Sequence, residues 1–418
     1  MSRPHILIVN VYFAPFTYGG ATIVAEQVGK ALHRDHGYRV TAISAMSRAD
    51  LAPYSILKTE VDGIVNYLIN LPFGRSYALG YSNPKVTQLM AELMQQLDPD
   101  LVHVHCVQDL GVGVISAAKN QGRRVILSTH DFWWLCERQF MIRMDGTYCQ
   151  QDPIDVTRCA GCVDSVAKAR ERQNVLKQAA AQADLLTFPS KFAHDLCTRS
   201  GLVAKENIVW TNGVHLPKSG FFEQQTKRRN SSDRLAFGFV GGPSQIKGWP
   251  IIQQAFEMLK TDQEIDVFVV DGSLDGSWWP DISFEGLAGN WSVVPRFSQD
   301  KMDSFYTKID VLLFMSQWRE TFGLTIREAL ARGIRIIQTD SGGTTEHARA
   351  NKTHMPKIGD GPDRLLVELE RMIKGRDDHP TPLLVESFAD QAAVLAEWNA
   401  RHLNAPFLEN PQLRKLSY

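Results

Sequence analysis

The regular alternation of short apolar runs with amphipathic segments is the feature that most constrains the fold of this chain. The run His5–Val11 is followed by a glycine-containing loop and then by the segment Ala21–His36. Within that segment Val24, Val28 and Leu32 recur every four residues, as on one face of a helix. Strand-like and helix-like segments alternate in this way along the chain, which predicts βαβ units and an α/β fold with parallel sheets.

Two series of predicted strands are separated by a polar connecting stretch at 224–233. The first series continues with Tyr38–Ser44, Leu101–His105, Arg124–Thr129 and Asp184–Phe188. The second series comprises Leu235–Val240, Ile265–Val270, Trp291–Val294, Asp310–Phe314 and Ile334–Gln338. A chain of 418 residues exceeds the size at which one hydrophobic core usually stops growing. We therefore expect two Rossmann-like parallel-sheet domains, residues 1–215 and 216–384, which face across a ligand-binding cleft.

Composition and charge argue against several classes of protein. The formal net charge is −1, which provides no basic footprint for a nucleic acid. No stretch of 18 or more apolar residues is present, so we expect no transmembrane helix. Asn10 interrupts the N-terminal apolar run, and no small-residue cleavage site follows it. We therefore expect a cytoplasmic protein with no nucleic-acid partner, and peripheral contact with the inner face of a membrane stays open.

The segment 310–346 carries the most informative pattern. Glu320 lies in a loop after a predicted buried strand, and Glu328 lies two turns into the following helix. The residues between them span at most ~12 Å if they are helical, which is the scale of a sugar-diphosphate-ribose. Carboxylates accept hydrogen bonds from hydroxyl groups, and the N–H groups at a helix start suit a pyrophosphate. Two glutamates alone are also compatible with a solvated helix face.

Glu320 and Glu328, with TFG after the first and EAL at the second, resemble the motif of retaining GT-B glycosyltransferases of glycosyltransferase family 4. The resemblance extends over nearly the whole chain. Its further elements are Gly19–Gly20, His130–Asp131, Asn212–Val214, Phe239–Gly241 and Lys247–Gly248. It implies an acceptor-side domain at 1–215, a nucleotide-sugar donor domain at 216–384, and a C-terminal helix at 385–418 that returns to the first domain.

The resemblance also implies a role for each site residue. Glu320 and His130 would contact the transferred sugar, and Lys247 would neutralise the leaving diphosphate. Glu328 would hold the ribose. The other donor-binding residues would be Gly19 and Gly20 near the phosphates, the N–H groups of Phe322, Gly323 and Leu324, and Arg296 and Phe297 beside the base. Taken alone, His130 could instead be a core histidine, and the glycine loops could be only turns.

One position departs from the family pattern. The family commonly has an arginine immediately after the glycine that ends the strand, whereas this chain has Gly242 there. Either another residue supplies the second cation, or backbone N–H groups around Gly242 and Ser244 bind the phosphate. The resemblance implies that catalysis needs no metal cofactor. The D-x-D string Asp98–Asp100 lies before a strand of the first half, and we do not interpret it as a metal site.

The regular pattern breaks down between about 131 and 165, which we interpret as an insertion. Four of the six cysteines fall within it: Cys136, Cys149, Cys159 and Cys162. The Cys159–Cys162 spacing is typical of a metal-binding turn, so we expect a structural zinc site. Structural thiols and disulfide pairing are the alternatives. The basic segment 168–177 that follows predicts a solvated face or a surface for an anionic lipid.

The predicted function is retaining transfer of a hexosyl group from a UDP- or GDP-sugar to a glycan or lipid-linked acceptor, in cell-surface polysaccharide synthesis. Two alternatives stay open. One is a sugar-nucleotide epimerase on the same fold, which would need no acceptor. The other is a degenerate nucleotide-sugar-binding protein, for which Gly242 is the only support. Release of a nucleoside diphosphate that depends on an acceptor would distinguish transfer from both.

Overall fold

The computed structural model describes residues 3–403, and the chain divides into two compact units. Within the described residues, unit 1 comprises residues 3–141, 150–213 and 386–403, and unit 2 comprises residues 142–149 and 214–385. The part of the predicted C-terminal helix at 404–418 lies outside the described residues.

The strands of unit 1 are β1 (His5–Val9), β2 (Arg39–Met46), β3 (Ile56–Val61), β4 (Ile64–Asn70), β5 (Leu101–Val104), β6 (Arg124–Ser128), β7 (Leu185–Phe188) and β8 (Glu206–Val209). Over the described residues of this unit they form one sheet in the order β3-β4-β2-β1-β5-β6-β7-β8. Neighbouring strands are parallel except for the antiparallel pair β3 and β4. Every residue of β1 is buried, which explains its unbroken apolar run, because a central parallel strand is covered on both faces.

The helices that follow the strands of unit 1 are α1 (Gly20–Asp35), α2 (Pro84–Leu97), α3 (Gly113–Asn120), α4 (Val166–Ala180) and α5 (Lys191–Arg199). The hairpin of β3 and β4 is absent from the predicted strands. Its turn is Asp62–Gly63, with φ angles of 53° and 75°. An Asp-Gly pair between two strand-like runs is the usual signal for such a hairpin, and it was available in the sequence.

Unit 2 contains β9 (Leu235–Phe239), β10 (Ile265–Val270), β11 (Asn290–Val294), β12 (Val311–Phe314) and β13 (Arg335–Gln338). Its helices are α6 (Phe221–Asn230), α7 (Trp249–Met258), α8 (Met302–Tyr306), α9 (Leu324–Ala331) and α10 (Pro362–Lys374). In the described part of this unit the strands form a parallel sheet in the order β11-β10-β9-β12-β13. The two parallel-sheet α/β units confirm the predicted fold class.

The last described helix, α11 (Phe388–Leu403), belongs to unit 1 and packs against α1. Two hydrogen bonds attach its first turn to residues 210–213 of the same unit. The Trp210 indole N–H donates to the Gln391 carbonyl oxygen at 3.0 Å, and the Gly213 N–H donates to the Gln391 side-chain oxygen at 2.8 Å. These contacts tie a C-terminal segment to the first unit.

Candidate active site

Two loops at the carboxyl edge of the second sheet lie side by side because the strands before them are neighbours. β9 leads into residues 240–248 and β12 leads into residues 315–323. The Gln317 N–H donates to the Ile246 carbonyl oxygen at 2.8 Å, which joins the two loops. The open ends of parallel strands are where α/β proteins commonly bind ligands, so this edge is the candidate donor site.

The two loops bring Lys247 and Glu320 together. The Lys247 Nζ lies 2.7 Å from Glu320 Oε1, and the Ser316 hydroxyl donates to the same oxygen at 2.8 Å. The Glu320 side chain is 12% exposed and that of Lys247 is 32% exposed. The Lys247 Nζ also lies 5.8 Å from the centre of the Trp318 ring. The site therefore presents a paired cation and anion that solvent, or a ligand, can still reach.

The backbone of Glu320 is held by the loop after β13. The Glu320 N–H donates to the Ser341 carbonyl oxygen at 3.0 Å, and the Gly343 N–H donates to the Glu320 carbonyl oxygen at 2.9 Å. Arg327, which sequence reasoning did not find, holds this loop in place. Its guanidinium donates to the carbonyl oxygens of Phe322, Gly343, Thr344 and Glu346 at 2.7–3.1 Å. A buried arginine on α9 thus fixes the loop beside the candidate sugar-binding carboxylate.

Helix α9 begins beside this pair. Gly323 is its N-cap residue and has a φ of 84°. Phe322 is buried, and the centre of its ring lies 4.5 Å from the guanidinium carbon of Arg327. The first N–H groups of a helix have no acceptor within the helix, and they lie at its positive end. The predicted donor N–H groups of Phe322, Gly323 and Leu324 are therefore at a helix start adjacent to Glu320.

Glu328 lies in α9 and is held by a neighbouring helix. The Tyr306 hydroxyl donates to Glu328 Oε2 at 2.8 Å. Burial raises the pKa of Glu328, while the Tyr306 hydrogen bond and the positive charge of Arg332 lower it. Tyr306 and Arg332 carry no recognisable sequence signal for this site.

Gly242 departs from the family pattern for a steric reason. Its φ is +70°, and a Cβ at this position would lie 2.7 Å from the Trp278 ring. An arginine would therefore need both a disfavoured backbone conformation and a displaced tryptophan. Ser244 is exposed, and its carbonyl oxygen accepts hydrogen bonds from the N–H groups of Lys247 and Trp249. The turn around Ser244 thus positions Lys247.

The two residues predicted to lie beside the base occupy different environments. Arg296 is exposed after β11. Phe297 is half-buried and stacks on the Phe305 ring, with 5.6 Å between the ring centres. Phe297 therefore contributes to a core cluster of unit 2, and a role in base binding stays a prediction for both residues.

The predicted residues of unit 1 lie at the carboxyl edge of its own sheet. Gly19 has φ +80° and precedes α1, and no atom lies within 4 Å of a Cβ built on it. Gly20 is the first residue of α1, so the glycine pair forms an open helix start. His130 follows β6, and its Nε2 lies 2.9 Å from His105 Nδ1, with the two rings stacked 5.2 Å apart.

Burial determines the charge of this histidine pair. It lowers the pKa of His130 to about 4, and it also lowers that of His105. Both imidazoles are therefore neutral near pH 7. His105, which directly follows β5, was not among the predicted site residues. The adjacent Asp131 has a structural role, since its carboxylate accepts hydrogen bonds from the Trp133 N–H and the Gln139 side chain.

The insertion does not gather its cysteines into a metal site. Residues 3–403 contain no group of three or more cysteine, histidine, aspartate or glutamate side chains placed to hold a metal ion. The N–H of Cys162 donates to the Cys159 carbonyl oxygen, so the short spacing does form a turn. The lack of such a group among these residues gives no support to the predicted zinc site.

One residue of the basic segment 168–177 also differs from the prediction of a solvated face. Arg172 is buried, and its guanidinium lies 4.7 Å from the centre of the Trp133 ring. It also donates to the Trp133 carbonyl oxygen at 2.8 Å. Arg172 therefore anchors the start of the insertion and is not available to an anionic lipid.

Family models decide which family the chain belongs to. Residues 18–217 match the model described as Glycosyltransferase Family 4, and residues 221–378 match the model described as Glycosyl transferases group 1. The chain belongs to glycosyltransferase family 4. The family predicted from Glu320 and Glu328 is thereby confirmed.

Two curated relatives of this family 4 glycosyltransferase are 23% identical to it. One is an uncharacterized 42.6 kDa protein in the cps region of Klebsiella pneumoniae, with 82% of this chain and 87% of the relative covered. The other is spore coat protein SA of Bacillus subtilis strain 168, with 50% of this chain and 55% of the relative covered.

Solved structures share the fold of the transferase at low sequence identity. Sucrose-phosphate synthase from Thermosynechococcus elongatus is 15% identical with a TM-score of 0.62, and the match covers 96% of both chains. HepE of Anabaena in complex with UDP and glucose is 16% identical with a TM-score of 0.61, covering 96% of this chain and 97% of HepE. An α,α-trehalose-phosphate synthase from Burkholderia xenovorans is 13% identical with a TM-score of 0.62, and the match covers 96% of this chain and 100% of the synthase.

Among the described residues, no helix of the transferase is both long enough and apolar enough to cross a membrane.

Proposed function

We propose that this transferase moves a hexosyl group from a UDP- or GDP-sugar to a glycan or lipid-linked acceptor, with retention at the anomeric carbon. The observation that carries the proposal is the Lys247–Glu320 pair beside the start of α9. A cation, a carboxylate and free helical N–H groups at one edge of a sheet match the charges and hydroxyl groups of a sugar diphosphate. We place the reaction in the cytoplasm, at the inner face of the membrane for a lipid-linked acceptor.

The pair can bind a donor without coming apart. A lysine ammonium has three N–H donors, and Glu320 takes one of them, so two stay available for the diphosphate. Glu320 Oε1 accepts hydrogen bonds from both Lys247 and Ser316. Because these bonds fix Oε1, the second oxygen, Oε2, is oriented to accept a hydroxyl of the transferred sugar.

Leaving-group stabilisation is the main catalytic contribution that we assign to these residues. Negative charge grows on the diphosphate as the bond to the sugar breaks, and Lys247 and the α9 N–H groups would stabilise it. Glu328 would hold the ribose, and the neutral His130 would bind a sugar hydroxyl. In the absence of an arginine at 242, the positive end of α9 would supply the remaining stabilisation of the phosphates.

The names of related proteins support the donor and the pathway class. HepE has been solved with UDP-glucose, in a structure 14% identical to this chain with a TM-score of 0.59. One curated relative is encoded in a cps region and another is a spore coat protein. These relationships favour a nucleotide-sugar donor and a role in the synthesis of a cell-surface polysaccharide.

The proposal is tested by nucleoside diphosphate release from a panel of UDP- and GDP-sugars, with and without glycan and lipid-linked acceptors. Release that depends on an acceptor would support transfer. We expect Glu320→Ala to abolish turnover while the thermal unfolding temperature stays close to that of the wild type, because Glu320 is assigned to the donor sugar. Glu257→Ala is the matched control, because it removes an exposed carboxylate on α7. Unchanged turnover in Glu320→Ala would remove the proposed function.

A further inference from the structure

The hydroxyl of Tyr306 is a buried polar group that points at the candidate ribose-binding carboxylate. Tyr306 is 1% exposed, and its ring packs in the core cluster with Phe305 and Ala329. The hydroxyl lies 2.8 Å from Glu328 Oε2 and 3.2 Å from the Thr325 carbonyl oxygen. A phenol has one proton to donate, and an ionised carboxylate is the stronger acceptor. The carboxylate of Glu328 therefore takes this hydrogen bond.

Arg332 packs against the Tyr306 ring, and its own hydrogen bond to Glu328 is to the backbone carbonyl oxygen and not to the carboxylate. The Arg332 guanidinium is 1% exposed and lies 4.9 Å from the centre of the Tyr306 ring. It binds the Asp303 carboxylate and donates to the carbonyl oxygens of His215 and Glu328. Within residues 3–403, the Tyr306 hydroxyl is the one side-chain donor to the Glu328 carboxylate.

The hydrogen bond also affects the charge of Glu328. Burial raises the pKa of this carboxyl group, and the Tyr306 hydroxyl and the Arg332 charge oppose that effect. A further charged group beside Arg332 is Asp303, which is paired with it. Without the hydroxyl, Glu328 would take up a proton at a higher pH and would then lose capacity to accept a hydrogen bond from a ligand.

We propose that Tyr306 is a positioning residue whose hydroxyl fixes Glu328 Oε2, so that Oε1 is aimed at a ribose hydroxyl of the donor nucleotide. This inference rests on the proposed function, because it requires a nucleoside diphosphate in the site. In the described part of the chain Oε1 accepts no hydrogen bond, whereas Oε2 is occupied. The hydroxyl of Tyr306 contacts neither the sugar nor the phosphates in this arrangement and acts through Glu328.

The test compares Tyr306→Phe with the wild type by calorimetric titration of UDP and GDP and of their 2′,3′-dideoxy forms. Phenylalanine retains the ring and the contact with Arg332, so the fold is expected to persist. We expect affinity for the nucleotide to fall about tenfold, which corresponds to about 1.4 kcal/mol. Affinity for the dideoxy form should stay unchanged, because that ligand has no ribose hydroxyl for Glu328 to bind. Tyr38→Phe, at a buried tyrosine of unit 1, should leave both affinities unchanged.

Two further measurements distinguish positioning from a general loss of structure. In a Glu328→Ala background, Tyr306→Phe should cause no additional loss of nucleotide affinity. On acidification from pH 8 to pH 5, the ratio of wild-type to Tyr306→Phe affinity should rise, because the variant carboxyl takes up its proton at a higher pH. This ratio cancels the titration of the nucleotide itself.

Three outcomes would overturn the inference. Equal nucleotide affinity in the wild type and Tyr306→Phe would remove the role of Tyr306 and leave the proposed function intact. An equal loss for the nucleotide and its dideoxy form would do the same, because it would indicate a general change in the site. Failure of the wild type to bind either nucleotide would overturn the proposed function and this inference with it.

Discussion

Replacement of Gly248 by alanine tests how the turn that carries Lys247 is held. Gly248 has a φ of +81°, in the left-handed region. A Cβ at this position would overlap the Met315 carbonyl oxygen and would lie 2.7 Å from the Met315 Cβ. Met315 directly precedes Ser316, which donates a hydrogen bond to Glu320. A shift of either loop would therefore separate Lys247 from Glu320.

Gly276 provides the matched control, because its φ is +76° and no atom lies within 4 Å of a Cβ built on it. Alanine in the left-handed conformation costs about 1–2 kcal/mol, and the reduced freedom of the unfolded chain offsets about 0.4–1 kcal/mol. We therefore expect Gly276→Ala to lower the free energy of unfolding by about 1 kcal/mol. Overpacking adds about 1–3 kcal/mol, so Gly248→Ala should lower it by about 2–4 kcal/mol.

Urea unfolding followed by circular dichroism measures both losses of stability, and steady-state kinetics measures kcat/KM for the donor. Gly248→Ala should be the less stable variant by about 1–3 kcal/mol, and only this variant should lose kcat/KM. Equal free energies of unfolding in the two variants would refute the reasoning. They would show that the Met315 loop moves aside without cost.

Two further perturbations address the cation and the buried histidines. Lys247→Met should lower kcat by on the order of 10²–10³ with a smaller loss of donor affinity, because charge on the diphosphate grows in the transition state. Lys260→Met, which changes an exposed lysine, is the control. Equal losses of kcat and donor affinity in Lys247→Met would instead indicate that Lys247 binds the ground state and the transition state equally. Acidification from pH 6.5 to pH 5 should lower the free energy of unfolding by up to about 1.4 kcal/mol per pH unit for each buried histidine. Burial lowers the pKa of His103 to about 3 and that of His130 to about 4, so the unfolded chain takes up protons that the folded chain does not. Urea unfolding at several pH values should therefore show a shallower slope for His130→Gln, and constant stability of the wild type across this range would contradict the expectation.

The sequence by itself determined the fold class and the family. Fully buried parallel strands require continuous apolar runs such as Ile6–Val9, and the helices between them require a repeat near 3.6 residues, so both are visible without coordinates. Glu320 and Glu328 were also proposed as site residues from the sequence, because they belong to one loop and the helix that follows it. Local patterns of this kind depend on spacing along the chain alone.

Only the tertiary structure showed which contacts join the distant side chains of the candidate site. Lys247 meets Glu320 because β9 and β12 are neighbours in the sheet, and Tyr306 meets Glu328 because α8 packs against α9. Trp278 excludes a side chain at Gly242 through a contact between two loops. The cysteine spacing of the insertion, by contrast, resembled a metal site that the described residues do not form. Spacing along a chain predicts a turn or a helix face, but a contact between separate elements depends on strand order and on the packing of the side chains between them.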